Sequence, residues 1–448
     1  MEVLAVILFV VIFVFILKGY PVAFTLGGIS VLFAIAIASI APDYFSLSTF
    51  NILPSRIMGV VNNYVLMAVP LFIFMGIMLE KSGLAQNLLE TMAMMFGTVR
   101  GGLAISVVIV GALLAASTGI VGATVVTMGL ISLPTMLKRG YSPELATGVI
   151  ASSGTLGQII PPSIVLVLLA DTINSSSRGT ASVDVGSLFS AAMLPGLILV
   201  ALYILYILIK AVIHKNDAPA IPVEEIKAFR GTNFTAKIIK VLVLPILLIV
   251  LVLGSIFTGI ASPTEASAIG ALGATILTIL QKKFSFKILK EVAQETTKLT
   301  TMVFFILLGA TTFTLVFRTL GGDEYLQELI LSSDLSPLLF LLLVMVVIFI
   351  AGFFIDFIEI VFIIVPVVTP LFNALDMDML WIGILIALNL QTSFLTPPFG
   401  FALFYLKGVA PESIKTSQIY RGIIPFIIIQ LLIVGLVVLY PEIIFLSK

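Results

Sequence analysis

Residues 146–171 read ATGVIASSGTLGQIIPPSIVLVLLAD. Both ends are apolar, yet the centre holds Ser152, Ser153, Gly154, Thr155, Gly157, Gln158, Pro161 and Pro162. Proline removes a backbone donor and its ring clashes with the preceding turn. Glycine weakens a helix by up to about 1 kcal/mol. A span built this way breaks near its middle, at Gly157 and Pro161, and frees backbone carbonyls there. Such backbone survives at membrane depth only where protein or a water-filled cavity surrounds it.

The rest of the chain supplies the membrane frame. Its 448 residues are 60% hydrophobic and 10% charged, and its mean hydropathy is +1.25. Soluble domains are about a quarter charged. Ten apolar runs, near 3–17, 21–41, 65–79, 144–170, 188–209, 241–258, 262–280, 299–317, 379–406 and 422–444, are candidates to cross. Roughly 20 residues span a core about 30 Å thick. The expected fold is an all-α polytopic membrane protein with the lipid bilayer as its solvent. The first run lacks a basic flank and a cleavage site, so it is expected to be a retained span. The longest polar stretch, His214–Lys237, is too short for a soluble domain. Net charge is zero, which gives nucleic acid no footing, and there is no cysteine to build thiolate metal sites. One histidine, His214, falls in that polar stretch and is expected to be solvated. With no paired histidines, Ser–His set or phosphate loop, the chain is not expected to be an enzyme.

Two runs, 103–137 and 336–372, are too long for one crossing, and each is interrupted, by AASTGIVGAT and by AGFFIDFIEI. Both are expected to be re-entrant hairpins. Cytoplasmic loops carry the excess of Lys and Arg. Placing Lys18 inside also places Lys81, Arg100, Lys138, Arg139, the loops 210–240 and 282–298, Lys407, Lys415 and Arg421 inside. Only Arg56, Arg178, Arg318 and Lys448 then fall outside, with both termini. The first hairpin, flanked by bases, opens inward. The second, flanked by Asp334, Asp376 and Asp378, opens outward.

Pro134, Pro161 and Pro162 recur as Pro370, Pro397 and Pro398, each 236 residues on. The partner of the opening stretch is therefore NLQTSFLTPPFGFALF, 389–404, with its own break at Pro397. Residues 1–213 and 241–448 form two halves of five crossings and one hairpin each, joined by a cytoplasmic loop and amphipathic connector, 214–240. Five is odd, so the second half lies upside down. That inverted repeat is a common plan of secondary transporters. Where hairpin tip meets broken helix, carbonyl and hydroxyl oxygens can accept an alkali cation. Site one is expected from Ser117, Thr118, Gly119, Ser153, Gly154 and Thr155, and site two from Gly352, Asp356, Thr392, Ser393 and Thr396. A carboxylate such as Asp356 inside an apolar run is costly and points to function. Glu359, one turn on, flanks the same turn. Arg318 is a rare outward base that can grip a carboxylate by two bonds. Ser163 opens a new half-helix whose free N–H groups favour an anion. Ser152, Pro162 and Pro398 complete the expected substrate-binding set.

At ASTGIVGATVVTMGLISLPTMLKRGYSPELATG, SSGTLGQIIPPS, PTEASAIGA, GFFIDFIEIVFIIVPVVTPL and TSFLTPPFG, the chain resembles the large membrane subunit of tripartite ATP-independent periplasmic (TRAP) transporters. The resemblance covers nearly the whole chain. It implies an elevator: a transport domain of two hairpins and two broken helices moving against a scaffold in a bacterial or archaeal inner membrane. It implies sodium ions as the coupling species, with no organic cofactor. It also implies a small four-helix membrane subunit (DctQ-like), expected as a separate chain, and a periplasmic substrate-binding protein (DctP-like). The substrate would be an organic anion such as a dicarboxylate, a 2-oxo acid or a sugar acid. The alternative is a stand-alone sodium/anion symporter of the related two-hairpin type, which would take up substrate without partners. A membrane-embedded enzyme would need a catalytic set, and a channel would show conductance without saturation.

Overall fold

Backbone in hydrocarbon must satisfy its own hydrogen bonds, so apolar runs of this length resolve into helices. The computed structural model describes residues 2–446 except 44, 120, 178–181, 230–233, 235–237 and 334, and every regular element among them is helical. Arg178, Lys237, Asp334 and Lys448 thus lie outside the described residues, as do the side chains of Ser117 and Thr118.

The first half contains α1 (Glu2–Leu17), α2 (Val22–Ile40), α3 (Leu53–Val61), α4 (Ala68–Lys81) and α5 (Leu84–Phe96). Its first hairpin is α6 (Gly102–Thr118) and α7 (Val121–Lys138), its broken helix is α8 (Pro143–Thr155) and α9 (Ile164–Ser176), and α10 (Val185–Ile213) closes it. A short helix, α11 (Val223–Phe229), lies in the connector. The second half follows as α12 (Leu244–Phe257), α13 (Pro263–Leu280), α14 (Phe286–Thr319) and α15 (Gly322–Ser332). Its hairpin is α16 (Pro337–Ala351) with α17 (Phe357–Ile363) and α18 (Val365–Ala374). Its broken helix is α19 (Met379–Leu395) and α20 (Phe401–Val409), and α21 (Thr416–Leu439) ends it. The order short amphipathic helix, hairpin, broken helix, long closing helix occurs in both halves.

By length and composition, six described helices can cross a membrane, or eight if each bent pair counts as one span. The ten expected runs all coincide with helices, but α1, α12 and the pieces of the broken helices are individually shorter than a full crossing. The expected loop at 282–298 is corrected: α14 starts at Phe286 and runs 34 residues. At 1.5 Å per residue that is about 50 Å, so part of it stands beyond the hydrocarbon. Lys81 pairs with Glu295 there at 2.9 Å. Residues 84–96, which lie between the apolar runs 65–79 and 103–137, form α5, which buries Leu84, Leu88, Leu89 and Met92 along one face. Counting charges finds polar residues but not their 3.6-residue period.

The interior is formed by α8 and α19, whose described faces are almost wholly buried. Close approach comes from small residues, which let membrane helices pack backbone to backbone. A Cβ at Gly148 of α8 would lie 2.7 Å from the carbonyl carbon of Gly422 in α21, and one at Gly422 2.8 Å from that of Glu144. A single Gly148→Ala change would therefore push two core helices apart.

Candidate functional site: two helix breaks and a cavity at Arg318

The first break starts where α8 ends at Thr155; a tight turn spans Leu156–Gln158, a cis bond joins Pro161 and Pro162, and extended Ser163 precedes α9. Ser152, Ser153, Thr155, Gln158 and Ser163 are all fully buried. Ser152, Ser153 and Thr155 donate their hydroxyl protons back to the carbonyls of Val149, Ile150 and Ser152 at 3.1, 3.1 and 2.9 Å. Each hydroxyl oxygen keeps acceptor capacity for a cation. Ser163 Oγ donates to the Gln158 carbonyl at 2.9 Å, which pins the break.

The tip of the first hairpin turns at Gly119, whose φ of +62° is left-handed backbone that glycine adopts without strain. A Cβ there would meet Ile164 at 2.8 Å, and one at Gly157 would meet the Ala115 carbonyl carbon at 2.7 Å. The tip thus faces Gly157 and the start of α9. Ser153 instead faces Gly111, where an added Cβ would lie 2.6 Å from Ser153 Oγ, and Gly154 abuts Val125. Gly111 is eight residues before Gly119, about 12 Å along the helix. The expected members of site one are therefore spread along the hairpin: Gly119 at the tip, Ser153 and Gly154 deeper.

The second break differs in exposure. Extended Thr396 ends α19, a cis bond joins Pro397 and Pro398, and α20 begins at Phe401. Thr392, Ser393 and Thr396 again donate inward, each at 2.8 Å, to Leu388, Leu390 and Thr392. Gly352, at the end of α16, lies directly against Ser393, so these two expected members of site two do meet. Asp356 sits across the same turn. Its Oδ1 accepts the Phe357 N–H at 2.7 Å, while Glu359 Oε2 accepts the Asp356 N–H at 3.1 Å. This reciprocal cap starts α17 and fixes the shape of the tip. Pro398 is exposed, and its carbonyl accepts the Tyr420 hydroxyl at 2.7 Å. Beside it Phe399, 45% exposed, meets Phe354, 47% exposed, with ring centres 5.5 Å apart.

The halves interlock. Helix α9 of the first break packs on α17 and α18 of the second hairpin. Helix α20 of the second break packs on α7 of the first, with Gly122 against the Tyr405 ring and Gly129 against Val409. Two buried amides beside the breaks, Gln158 and Gln391, have no hydrogen-bond partner on either side-chain atom and are both fully buried. An orphaned buried amide calls for a polar guest such as an ion, water or substrate group. The donor set around the breaks is neutral oxygen, which fits a monovalent hard cation. Among the described residues no cluster of three His, Cys, Asp or Glu could hold a metal ion. Gln391 carried a sequence signal, a polar residue inside an apolar run, that the proline pattern overshadowed.

Arg318 belongs elsewhere. It lines a cavity of about 350 Å³ with Arg56, Asn63, Asp171, Ser176 and Phe362, between α3, α9, α14 and α17. Its Nε lies 3.0 Å from Asp323 Oδ2, and Nη2 donates to the Ser176 carbonyl at 3.3 Å. Asn63 Nδ2 donates to Asp171 Oδ1 across the same cavity. The structure thus separates the expected substrate set: Arg318 opens on this cavity, while Ser152, Pro162 and Ser163 are buried at the first break and Pro398 is exposed at the second. Asn63, Asp171 and Asp323 escaped the sequence reading. Asp171 ends the run VLVLLAD, and the rule applied to Asp356 would have found it.

A family model described as the tripartite ATP-independent periplasmic transporter, DctM component, matches residues 9–443. The C4-dicarboxylate TRAP transporter large permease protein DctM of Vibrio cholerae is 30% identical over 460 residues, covering 97% of this chain and 95% of its own. The sialic acid TRAP transporter large permease protein SiaM of Vibrio cholerae is 27% identical, covering 95% and 93%. The ectoine TRAP transporter large permease protein TeaC of Halomonas elongata is 28% identical, covering 93% and 94%. Among solved structures, the YdaH transporter of Alcanivorax borkumensis shares the fold, with a TM-score of 0.62 over 88% of both chains at 14% identity.

Proposed function

We propose a transport cycle for this chain, which belongs to the DctM component family of tripartite ATP-independent periplasmic transporters and is a large permease. In that cycle the permease carries a small organic acid inward across the inner membrane, driven by a sodium gradient. A periplasmic binding protein delivers the acid, and a small four-helix subunit braces the scaffold. Relatives are named for C4-dicarboxylates, sialic acid and ectoine, which leaves the particular acid open.

The observation that carries this reading is the seating of each hairpin tip on a helix break lined with acceptor oxygens: Gly119 on Ile164, and Gly352 on Ser393. Sodium held by hydroxyl oxygens of 392–396 would fix the second tip against its break, and sodium held by those of 152–155 would fix the body of the first hairpin, near Gly111, against α8. The acid's charge would then be favoured close to the cation. Arg56 and Arg318 would supply guanidinium groups on the way from the outer face, where a two-bond grip suits a carboxylate. Asp356, as the cap of α17, is a positioning residue for the second tip. The interlocked hairpins and breaks form one body, and its travel against α4, α13 and α14 is the elevator step of the proposal. The inverted repeat, which rests on the 236-residue proline offset, and the placement of both termini in the periplasm, which rests on the charge distribution, belong to the same reading.

Reconstitution tests it. Proteoliposomes holding the permease and small subunit, supplied with binding protein and labelled acid, should accumulate the acid only when sodium is higher outside. Omitting either partner should abolish uptake. Full-rate uptake by the permease alone would replace this reading with the stand-alone symporter.

A further inference from the structure

The connector between the halves is held across the open end of the first hairpin at both legs. On the leading side, the Gly101 N–H donates to the Ala218 carbonyl at 3.0 Å, and the Ile221 N–H donates to the Gly97 carbonyl at 2.8 Å. On the trailing side, the Ser142 N–H donates to the Asp217 carbonyl at 3.0 Å. Arg139 adds a two-pronged bond to Glu225, at 3.1 and 2.6 Å. Lys210, near the end of α10, pairs with Asp217 at 3.0 Å. Ala218, Ile221 and Ile226 are buried, and a Cβ at Gly97 would touch the Cδ1 atoms of both isoleucines at 3.0 and 3.1 Å. The Arg139–Glu225 pair is partly exposed and holds weakly by itself. The backbone bonds and the buried isoleucines do not depend on it.

The second hairpin shows no such clasp among the described residues. Among the described residues, the backbone bonds at its ends stay local: Met377 to Phe372, Asp376 to Asn373, and Phe340 to Ser336. The nearest link outward is the Trp381 ring N–H to the Val437 carbonyl at 2.8 Å, inside the following helix.

We propose that residues 214–226 are a strap that closes the base of the first hairpin, moves with it as one rigid piece throughout transport, and leaves opening to the second hairpin. A hairpin whose two legs are bonded at their base to one segment cannot splay or swing without breaking several backbone bonds together. The proposal rests on the transport reading above for its functional consequence, but the strap itself is a statement about this chain.

The chain has no cysteine, so introduced pairs react cleanly. Arg139→Cys with Glu225→Cys, bridged by a short bis-maleimide in the full complex, should transport within about twofold of the unbridged double variant. A tenfold or larger loss on bridging overturns the proposal, because the strap would then have to open. If the double variant is silent before bridging, hydrogen exchange on the wild-type complex decides. The amides of Gly101, Ser142 and Ile221 should exchange slowly and together, at rates unchanged by sodium and organic acid. Independent or sodium-dependent exchange at these three overturns the proposal. Absence of sodium-driven uptake by the wild type would instead overturn the transport reading and leave the exchange result to judge the strap.

Discussion

Gly352 lies against Ser393: a Cβ on Gly352 would stand 2.8 Å from the Ser393 Cβ and nearer still to its Oγ. The second hairpin can seat on its break only because residue 352 has no side chain. Gly352→Ala should therefore lift the tip from the oxygens of 392–396. Overpacking of this kind costs about 1–3 kcal/mol. Thermal unfolding in detergent should show a lowered midpoint, while Gly435→Ala, inside α21 with nothing within 4 Å, should leave it unchanged or raise it. Equal midpoints for the two variants would show that the tip yields freely.

Removing acceptor oxygens should weaken cation binding. Ser153→Ala with Thr155→Ala, and separately Thr396→Ala, should each raise the sodium concentration for half-maximal uptake by tenfold or more, a loss of about 1.4 kcal/mol or greater. Uptake at graded external sodium is the measurement. An unchanged sodium dependence in both variants would remove these hydroxyls from the proposed sites.

The Arg318–Asp323 pair is largely buried, with side-chain exposures of 14% and 8%. Stripping the guanidinium from a buried carboxylate costs about 3–5 kcal/mol. Arg318→Ala should thus lower both stability and uptake. Arg318→Met with Asp323→Leu should restore most of the stability but not the uptake. Recovery of uptake as well would make the arginine a structural residue alone.

Asp356 and Glu359 cap each other's segment at the second tip. Asp356→Ala should cost about 0.5–2 kcal/mol, as lost helix caps do, and reduce uptake by loosening the tip. Asp356→Ser keeps a capping oxygen and should recover most of both, measured by the same melting and uptake assays. Loss of uptake in Asp356→Ser with a normal melting curve would assign the carboxylate a direct role in binding.

At the strap, the Arg139 guanidinium on both carboxylate oxygens holds Glu225 below its ordinary value of 4.5. A depressed carboxylate stabilises the fold above its unfolded value and loses that contribution as pH falls through the folded one. Solvent screens this exposed pair, so its worth is below about 1 kcal/mol. The difference in melting point between wild type and Glu225→Gln should be constant well above the ordinary glutamate value and shrink as pH falls below it. A difference that grows on acidification would contradict the pair.

The sequence by itself determined the membrane class, the helix runs, both hairpins and both breaks. Each follows from a local cause: apolar length, a glycine-rich interruption, or a diproline that no helix interior tolerates. The 236-residue proline offset made the two breaks legible together. The interruption AGFFIDFIEI also pointed to Gly352, which lies against Ser393. Tertiary structure decided what those elements touch. Ser153 pairs with Gly111 rather than with the tip, because helix packing brings together residues many turns apart whose spacing no local pattern encodes. Helix α9 meets the hairpin of the other half, and Arg318 meets Asp171 and Asn63 around a cavity, for the same reason. The amphipathic α5 and α15 are too short and too polar on one face to stand out as apolar runs. The strap was hidden because its bonds are made by backbone atoms, which carry no residue signature until the chain is folded.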